Sequence, residues 1–461
     1  LISQGEQQMF TQLDMTHLVL DEVHERSMDM DFVLTLLRHA LPSRPKLKVL
    51  LMSATMDVQS LAQLFPKTPP VLKIPGRTFP VDVLHLEEVE DLLGTTYSWS
   101  SRKDAQVEAS ESRVPQPAPI NYDLLADFVL GLVDRTYQAS TWPAEGSILI
   151  FMPGAGEISR LINSLERRST SQRFKALPLH GALSGEQQRR CFDTFDGVRK
   201  VIVATNVAET SVTLPDVTIV IDSCRERRLT REHGHSSIAP ALLEQFCAKD
   251  SLQQRRGRAG RVQKGLCFRL VPRSAFDKLP ENTMPEIEAL PLETLVLQVR
   301  AAGFEPGRFL AAAPTPPKTL AVSEAEVELR VMGALKPEGS QDKGAPQDLL
   351  TALGRHLAAL PCDVRVGRLL VLGAFLGVAS AACSIAGWLS VRSPMPKAWQ
   401  PNQESLRDAL RSKALRGGGN KSDHCFWVAI MQAFIAAKSR KAFCNDLGLS
   451  LERMVEAELC R

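Results

Sequence analysis

The 461-residue chain contains nine cysteines but no Cys-x-x-Cys pair. Pairs at that spacing are typical of zinc sites and of redox motifs, so their absence argues against both kinds of site. Scattered cysteines are typical of a reducing compartment, where disulfides do not persist. We therefore expect an intracellular protein, of the cytoplasm or the nucleus, without a disulfide framework.

A strong charge bias is also lacking, since the net charge is only +3. The whole chain gives no electrostatic case for nucleic acid, and such a case must come from local clusters. No signal peptide is recognisable, and the chain opens at Leu1 in globular-looking sequence, so we expect a fragment with an upstream part missing. The length predicts roughly two to four domains.

Charge is absent altogether from residues 369–391. By length this stretch is a candidate for a membrane span. Gly373, Gly377 and Gly387 interrupt it, however, and Pro394 follows closely. We predict instead two short, tightly packed core helices with a break near Gly377, and no membrane partner.

What is present is a repeated alternation of short apolar runs and helical patterns. The runs end in polar or glycine-rich turns, and they cover residues 18–20, 48–52, 147–152, 201–204 and 217–221. This alternation predicts an α/β fold with parallel sheets. Helical patterns dominate after about residue 273, whereas residues 87–119 are rich in Ser, Thr, Glu, Pro and Gln and indicate a linker or surface insertion.

The tetrapeptide Asp21-Glu22-Val23-His24 follows the first apolar run. Carboxylates at such a position lie where open α/β sheets bind ligands, beyond the carboxyl ends of the strands. One carboxylate can hold a hydrated Mg²⁺ ion while the next orients an attacking water, which suits phosphoryl transfer to water. Four residues of these common types also occur together by chance, and most Asp-Glu pairs lie on a solvated surface.

The densest basic cluster is Gln254-Arg255-Arg256-Gly257-Arg258-Ala259-Gly260-Arg261. Arg258 and Arg261 are three residues apart, so a helical turn presents both on one face, where they can neutralise charge on a transferring phosphoryl group. Gly257 and Gly260 allow the backbone to approach a ligand closely. The alternative is an exposed basic helix that binds RNA or nothing.

A third cluster, from Thr205 to Ser211, follows the run that ends at Ala204. Its hydroxyl and amide groups suit hydrogen bonds to phosphate and ribose oxygens, which position a nucleic-acid backbone without reading bases. Taken singly, the same residues are also ordinary helix caps.

Together these segments resemble the motifs of the DEAH-box (DEAH/RHA) RNA helicases of superfamily 2. In chain order the resemblance is carried by Asp21 to His24, continued by Glu25-Arg26-Ser27 (motif II), Ser53-Ala54-Thr55 (motif III), Phe151-Met152-Pro153-Gly154 (motif IV), Leu179 to Ser184, Thr205 to Ser211 (motif V) and Gln254 to Arg261 (motif VI). The family implies RecA-like parallel-sheet domains followed by a mostly helical winged-helix and ratchet region.

The resemblance also implies domain boundaries. Residues 1–86 correspond to the C-terminal part of a first RecA-like domain and residues 120–272 to a second one, with 87–119 as the linker. Residues 273–358 correspond to a winged-helix domain, and residues 359–461 to an incomplete ratchet bundle.

The function that the resemblance implies is that of an ATP-dependent RNA helicase, with ATP and Mg²⁺ as cofactors and with RNA and protein activators as partners. Catalytic roles fall to Asp21, Glu22, His24, Gln254, Arg258 and Arg261, with Asp21 and Glu22 at the metal. Nucleotide binding, or its coupling to movement, falls to Ser53, Thr55, Phe192, Glu209, Thr210, Ser211 and Arg255. RNA contacts fall to Gly154, Thr205 and Asn206.

The sequence departs from the family pattern in three ways. No Gly-Lys-Ser or Gly-Lys-Thr loop occurs, although such a loop holds the β- and γ-phosphates upstream of motif II, so we expect this fragment to be inactive alone. The oligonucleotide-binding domain expected after the ratchet is missing, and Cys224 stands where the family usually has Gly. Two alternatives stay open, which are a non-catalytic RNA-binding scaffold derived from a helicase and a DNA helicase.

Overall fold

A computed structural model describes residues 15–54, 58–65, 69–74, 76, 79–97, 117–137, 142–169, 173–183, 185–209, 212–230, 241–337, 349–391, 393–395, 408 and 422–461. The chain divides into two compact units. The first unit combines Leu1–Thr68 with Pro291–Arg461, and the second is Pro69–Leu290. The predicted site residues Thr55, Thr210 and Ser211 lie outside the described residues.

The N-terminal part of the first unit is a parallel strand pair, β1 (His17–Leu20) and β2 (Lys48–Leu51), joined through helix α1 (Met28–Ala40). Ser27 caps α1, because its hydroxyl accepts a hydrogen bond from the Met30 amide. Helix α2 (Val58–Gln63) follows β2. This strand–helix–strand order confirms the predicted parallel pairing of the first two apolar runs.

A six-stranded parallel sheet forms the centre of the second unit. Its strands are β3 (Val81–Leu84), β4 (Ser147–Phe151), β5 (Phe174–Leu179), β6 (Arg199–Ala204), β7 (Val217–Asp222) and β10 (Gly265–Arg269), in the spatial order β3-β10-β7-β4-β6-β5. Strands β4 and β7 are buried along their whole length, which explains their nearly unbroken aliphatic sequence. Strands β8 (Arg225–Thr230) and β9 (Ala241–Phe246) form a separate antiparallel pair.

The helices of the second unit are α3 (Leu86–Leu93), α4 (Tyr122–Val133), α5 (Ala155–Arg168), α6 (Gly185–Arg189), α7 (Lys249–Gly257), α8 (Arg273–Lys278) and α9 (Glu286–Ala289). Successive β4 residues serve different cores, because side chains alternate between the two faces of a strand. Ile150 packs with Phe128 of α4 and Leu161 of α5, whereas Leu149 on the other face lies in a cluster with Ala259, which comes from a segment outside the sheet. Both faces of the sheet are therefore covered.

The remainder of the first unit is helical within the part of the chain that the structure describes. Its helices are α10 (Glu293–Ala301), α11 (Pro306–Leu310), α12 (Thr319–Val331), α13 (Ala352–Ala359), α14 (Val364–Phe375), α15 (Ala379–Ser390), α16 (Asp423–Ala436), α17 (Arg440–Leu447) and α18 (Leu451–Leu459). A backbone bridge joins Leu335 to Leu350 between α12 and α13. The predicted change from strands to helices after about residue 273 is confirmed.

The uncharged stretch forms α14 and α15, with the predicted break at Gly377, whose φ of +72° is the left-handed conformation that favours glycine. The expectation of tight core packing is wrong for the end of α14, since Phe375 is 87% exposed and Leu376 71%. The sequence shows which residues are apolar, but it does not show which of them pack against other parts of the protein. Among the described residues, no helix is both long enough and apolar enough to cross a membrane.

Two stretches differ from the domain boundaries implied by the resemblance. Strand β3 falls within residues 1–86, yet it pairs with β10 at the edge of the second unit's sheet. Helix α3 begins at Leu86 and otherwise falls within the expected linker, and its Leu86 and Val89 are buried in that unit's core. Short edge elements of this kind give no motif signal, so the resemblance could not place them. The other boundaries stay predictions.

Gly260 allows the segment before β3 to pack closely against the motif VI backbone. The Phe79 amide donates to the Gly260 carbonyl at 2.8 Å, and a Cβ on Gly260 would lie 2.6 Å from the Phe79 carbonyl oxygen. A Cβ on Gly257, three residues earlier, would meet no atom within 4 Å. The close backbone approach that we predicted for both glycines therefore exists at Gly260, where the neighbour is protein rather than ligand.

This contrast predicts opposite outcomes for two alanine substitutions. We expect Gly260→Ala to destabilise the protein by about 1–3 kcal/mol, the usual cost of overpacking. Gly257→Ala is the matched control, and we expect it to be neutral or slightly stabilising, because alanine favours helix by up to about 1 kcal/mol. Urea unfolding followed by circular dichroism measures both changes. Equal stability of the two variants would contradict this account of Gly260.

Candidate functional site

In the first unit, the candidate carboxylates lie in the turn that leaves β1. The Val23 amide donates to the Met52 carbonyl at 3.1 Å, which ties this turn to the residues directly after β2. Val23 is fully buried, whereas Asp21 and Glu22 are exposed. Because β1 and β2 are parallel, both segments end at the same edge, and motifs II and III are neighbours there, as the α/β pattern predicts.

The same turn has an unusual backbone. Glu22 has φ 52° and Arg26 has φ 50°, both in the left-handed region. For a residue other than glycine this conformation costs roughly 1–2 kcal/mol. Strain of this kind collects at functional sites and persists where surrounding contacts hold it. The Glu22 amide donates to Asp21 Oδ1 at 2.8 Å, which is one such contact.

His24 links the carboxylates to motif III. Its Nδ1 lies 3.4 Å from Glu22 Oε2 and accepts a hydrogen bond of 3.4 Å from the Ala54 amide. The His24 side chain is 6% exposed, and its Nε2 has no hydrogen-bond partner among the described residues. Ser53, next to Ala54, is exposed.

The donor set of this turn fits Mg²⁺ but not a tightly chelated metal. Within the described part of the chain, no group of three or more His, Cys, Asp or Glu residues could hold a metal ion. Mg²⁺ keeps several of its waters and commonly binds through one or two carboxylates together with substrate phosphates. The exposed pair Asp21 and Glu22 meets that requirement.

In the second unit, the candidate residues lie at the carboxyl edge of the six-stranded sheet. The register pairs Phe151 of β4 with Ala204 of β6 and with Asp222 of β7, so these strands end at one level. Motif IV begins at Phe151, the last residue of β4, and motif V begins directly after β6. Thr205, which follows β6, is half-buried, and the adjacent Asn206 is exposed.

Arg255 is buried at this edge and bonded to protein groups, which differs from the nucleotide contact expected of it. Its Nε donates to Glu209 Oε2 at 2.9 Å, and its Nη1 donates to Asp222 Oδ1 at 3.1 Å and to the Arg225 carbonyl at 3.2 Å. The guanidinium also lies 4.9 Å from the centre of the Phe151 ring. Its side chain is 1% exposed.

Glu209 is accordingly part of this buried network rather than a free ligand group. Burial raises the pKa of its carboxyl, and the charge of Arg255 acts in the opposite direction. The pair ties motif V to motif VI within the second unit. Asp222 completes the network and was missed by the sequence analysis, although its signal was visible as a lone carboxylate at the end of an aliphatic run.

The other motif VI residues lie along one short helical stretch. Helix α7 ends at Gly257, and Arg258–Gly260 continues as a 3₁₀ turn. Gln254 and Arg261 are half-buried. Arg258 is 8% exposed, and its Nη1 donates to the Val212 carbonyl at 2.9 Å.

Two further predicted residues differ in exposure. Phe192, proposed to stack on adenine, is 46% exposed and is therefore not a core residue. Gly154, proposed to contact RNA, is buried at the start of α5. A Cβ on Gly154 would lie 2.7 Å from Glu157 Oε2 and 3.1 Å from Arg227 Nη1, and these two side chains form an ion pair.

The backbone conformation of Cys224 explains why glycine suits this position in the family. Cys224 has φ 58°, which is the left-handed conformation that glycine adopts without strain. Its amide donates to Asp222 Oδ1 at 2.8 Å, and its carbonyl accepts from the Cys247 amide at 2.9 Å. Burial raises the pKa of the Cys224 thiol well above its usual range, so this thiol stays protonated near neutral pH.

Residues 134–263 match the family model of the helicase conserved C-terminal domain. This match runs from before β4 to the end of motif VI and leaves out β3 and β10. Most of the second unit therefore matches a helicase C-terminal domain.

Curated relatives extend the similarity to most of the chain. The ATP-dependent RNA helicase dhx29 of Xenopus laevis is 34% identical over 509 residues, which cover 97% of this chain and 36% of that protein. The DExH-box ATP-dependent RNA helicase DExH1 of Arabidopsis thaliana is 34% identical, with 96% of this chain and 47% of that protein covered. The human probable ATP-dependent RNA helicase DHX34 is 33% identical, with 95% and 35% covered. The chain thus spans between about a third and a half of the length of these relatives.

A solved structure gives the same result. The crystal structure of the Escherichia coli DEAH/RHA helicase HrpB matches with a TM-score of 0.67 and 26% identity, covering 97% of this chain and 48% of that one. The chain belongs to the DEAH/RHA family of helicases.

The buried arginine of the second unit gives a stability prediction. We expect Arg255→Met to destabilise the protein by about 3–5 kcal/mol, because it leaves the buried carboxylates of Glu209 and Asp222 without their counter-charge. Arg168 also forms a two-pronged pair, with Asp127, but on the surface, so Arg168→Met should cost much less. Chemical unfolding of both variants compares them. A loss for Arg255→Met no larger than that for Arg168→Met would refute the role of Arg255.

Proposed function

We propose that the protein is an ATP-dependent RNA helicase, which couples nucleoside triphosphate hydrolysis to movement along RNA. The observation that carries this proposal is the turn after β1, where the exposed carboxylates of Asp21 and Glu22 lie beside His24 and motif III. A carboxylate pair at the carboxyl end of a parallel strand suits hydrolysis of a phosphoanhydride. The names of the three relatives, all ATP-dependent RNA helicases, support the same activity.

In the proposed mechanism Asp21 would hold Mg²⁺, and Glu22 orients the hydrolytic water and accepts its proton. The metal, when bound, supplies positive charge to the phosphates. The side chains of His24 and Glu22 are close, with 3.4 Å between His24 Nδ1 and Glu22 Oε2, but Nδ1 accepts from the Ala54 amide and so does not donate to that carboxylate. The buried Nε2 of His24 has no hydrogen-bond partner among the described residues.

The second unit supplies most of the other proposed groups, and Ser53 and Thr55 of the first unit supply the rest. We assign phosphate contacts to Gln254, Arg258 and Arg261, and adenine stacking to the exposed ring of Phe192. Thr205 and Asn206 are proposed to face the RNA backbone, and Ser53 and Thr55 to couple the nucleotide state to movement. The buried contacts of Arg255 and Glu209 favour a supporting role for both, and the burial of Gly154 leaves at most its backbone for an RNA contact.

The proposed helicase acts inside the cell, in the cytoplasm or the nucleus. The nine cysteines are all free, as suits a reducing compartment. Protein activators remain expected partners on the strength of the family resemblance alone.

The nature of the nucleic acid is tested by stimulated hydrolysis. For the full-length protein we expect single-stranded RNA to raise the rate of ATP hydrolysis, and a DNA strand of the same sequence to raise it much less. Phosphate release measured at fixed salt concentration provides the comparison, because nucleic-acid affinity depends strongly on salt. Equal stimulation by DNA would favour a DNA helicase, and the absence of hydrolysis would favour a non-catalytic scaffold.

The role of Glu22 is tested by Glu22→Gln in the full-length protein. Loss of the proposed general base should lower kcat for ATP hydrolysis by about 10²–10⁴-fold, while nucleotide affinity stays near that of the wild type. Asp29→Asn is the control, since Asp29 is an exposed carboxylate in the first turn of α1 and none of the proposed roles uses it. Wild-type turnover by Glu22→Gln would rule out the assigned role.

A further inference from the structure

Arg26 lies in the motif II turn, five residues after Asp21, and none of the proposed roles uses it. Its own φ of 50° is left-handed, as is that of Glu22, so the segment between them is strained at both ends. Such a backbone keeps its geometry only when neighbouring contacts over-determine it. The contacts of Arg26 supply a restraint of this kind.

Arg26 holds Asp31 with both prongs of its guanidinium. Its Nε donates to Asp31 Oδ1 at 2.7 Å, and its Nη2 donates to Asp31 Oδ2 at 2.9 Å. Asp31 is fully buried in the first turn of α1, so the pair is shielded from solvent. A two-pronged bond fixes direction as well as distance, which a single charge contact does not.

A third hydrogen bond connects Arg26 to a segment far along the chain. Its Nη2 also donates to Thr315 Oγ1 at 2.8 Å, in the proline-rich loop after α11. Two further contacts within the same unit hold this loop and the preceding helix α11 against α1. The Arg38 guanidinium donates to the Ala312 carbonyl at 2.9 Å, and the Phe309 ring of α11 stacks on His39 with 5.2 Å between ring centres.

We propose that Arg26 is a positioning residue for motif II. Its bonds to Asp31 hold the left-handed turn that presents Asp21 and Glu22, and its bond to Thr315 makes this geometry depend on the loop after α11. The inference rests on the proposed function for its effect on hydrolysis, but not for its effect on the turn itself. Lysine cannot replace arginine here, because an ammonium group cannot form the same planar two-pronged bond.

The test compares variants of the full-length protein. We expect Arg26→Lys to lower kcat for RNA-stimulated ATP hydrolysis by about 10–100-fold, the usual effect of removing a residue that orients a reacting group, with KM for ATP nearly unchanged. Thr315→Val removes one hydrogen bond and should lower kcat by about fivefold. The double variant should be no slower than Arg26→Lys alone, because both changes act on one contact network.

Arg440→Lys is the matched control. Arg440 also forms a two-pronged pair, with Glu458 at 2.8 Å on both prongs, but between α17 and α18 and without contact to motif II. It loses the same geometry elsewhere in the first unit, so wild-type kcat is expected. A comparable loss of kcat in Arg440→Lys would mean that Arg26 acts only through general stability, and would overturn the proposal.

Hydrogen exchange of residues 21–26 gives a readout that does not need catalysis. We expect amide exchange in this segment to be faster than in the wild type for Arg26→Lys and for Thr315→Val. For Arg440→Lys we expect the wild-type exchange rate. If the wild type hydrolyses no nucleotide, the proposed function fails, and exchange alone then decides the role of Arg26. Should Arg26→Lys not fold, Thr315→Val still decides, since wild-type exchange and kcat in that variant would refute the link to the loop.

Discussion

Arginine guanidinium groups bonded to buried carboxylates hold the loops at the strand ends in both units. In the second unit Arg255 bridges Glu209 and Asp222, and in the first unit Arg26 grips Asp31. A buried charge is costly unless it is paired in good geometry, so each pair tolerates few alternative arrangements of its loop. These loops carry the residues proposed for catalysis, and the positions of those residues therefore depend on pairs that have no direct part in the chemistry.

The parallel sheet explains why such pairs are needed where they occur. Parallel strands bring several loops to one edge, where side chains of different motifs become neighbours. In the second unit the register sets Ala204 and Asp222 level with Phe151. The aliphatic strands fix where these loops begin, but they do not determine the conformation of the loops themselves. Polar contacts must supply it, and the Arg255 network does so for motifs V and VI.

Much of this arrangement could be predicted from the sequence, because the information is local. Aliphatic runs such as Val217 to Ile221 mark strands buried on both faces, and Gly377 marks a helix break. What could not be predicted depends on partners distant in the chain. Three features of this kind have no sequence signal. They are the pairing of β3 with β10, the exposed end of α14 at Phe375 and the bond from Arg26 to Thr315.

Motif VI divides one basic cluster between two tasks. Helix α7 ends at Gly257 and Arg258–Gly260 forms a 3₁₀ turn, so Arg258 and Arg261 lie beyond the α-helix that carries Gln254 and Arg255. Arg255 lies about 100° away from Gln254 around the axis, and that direction leads into the sheet, where Asp222 and Phe151 receive it. An arginine count alone would give all four arginines of the cluster the same role. The contacts of Arg255 with Glu209 and Asp222 separate it, as a residue that stabilises the loops, from the residues proposed to contact phosphate.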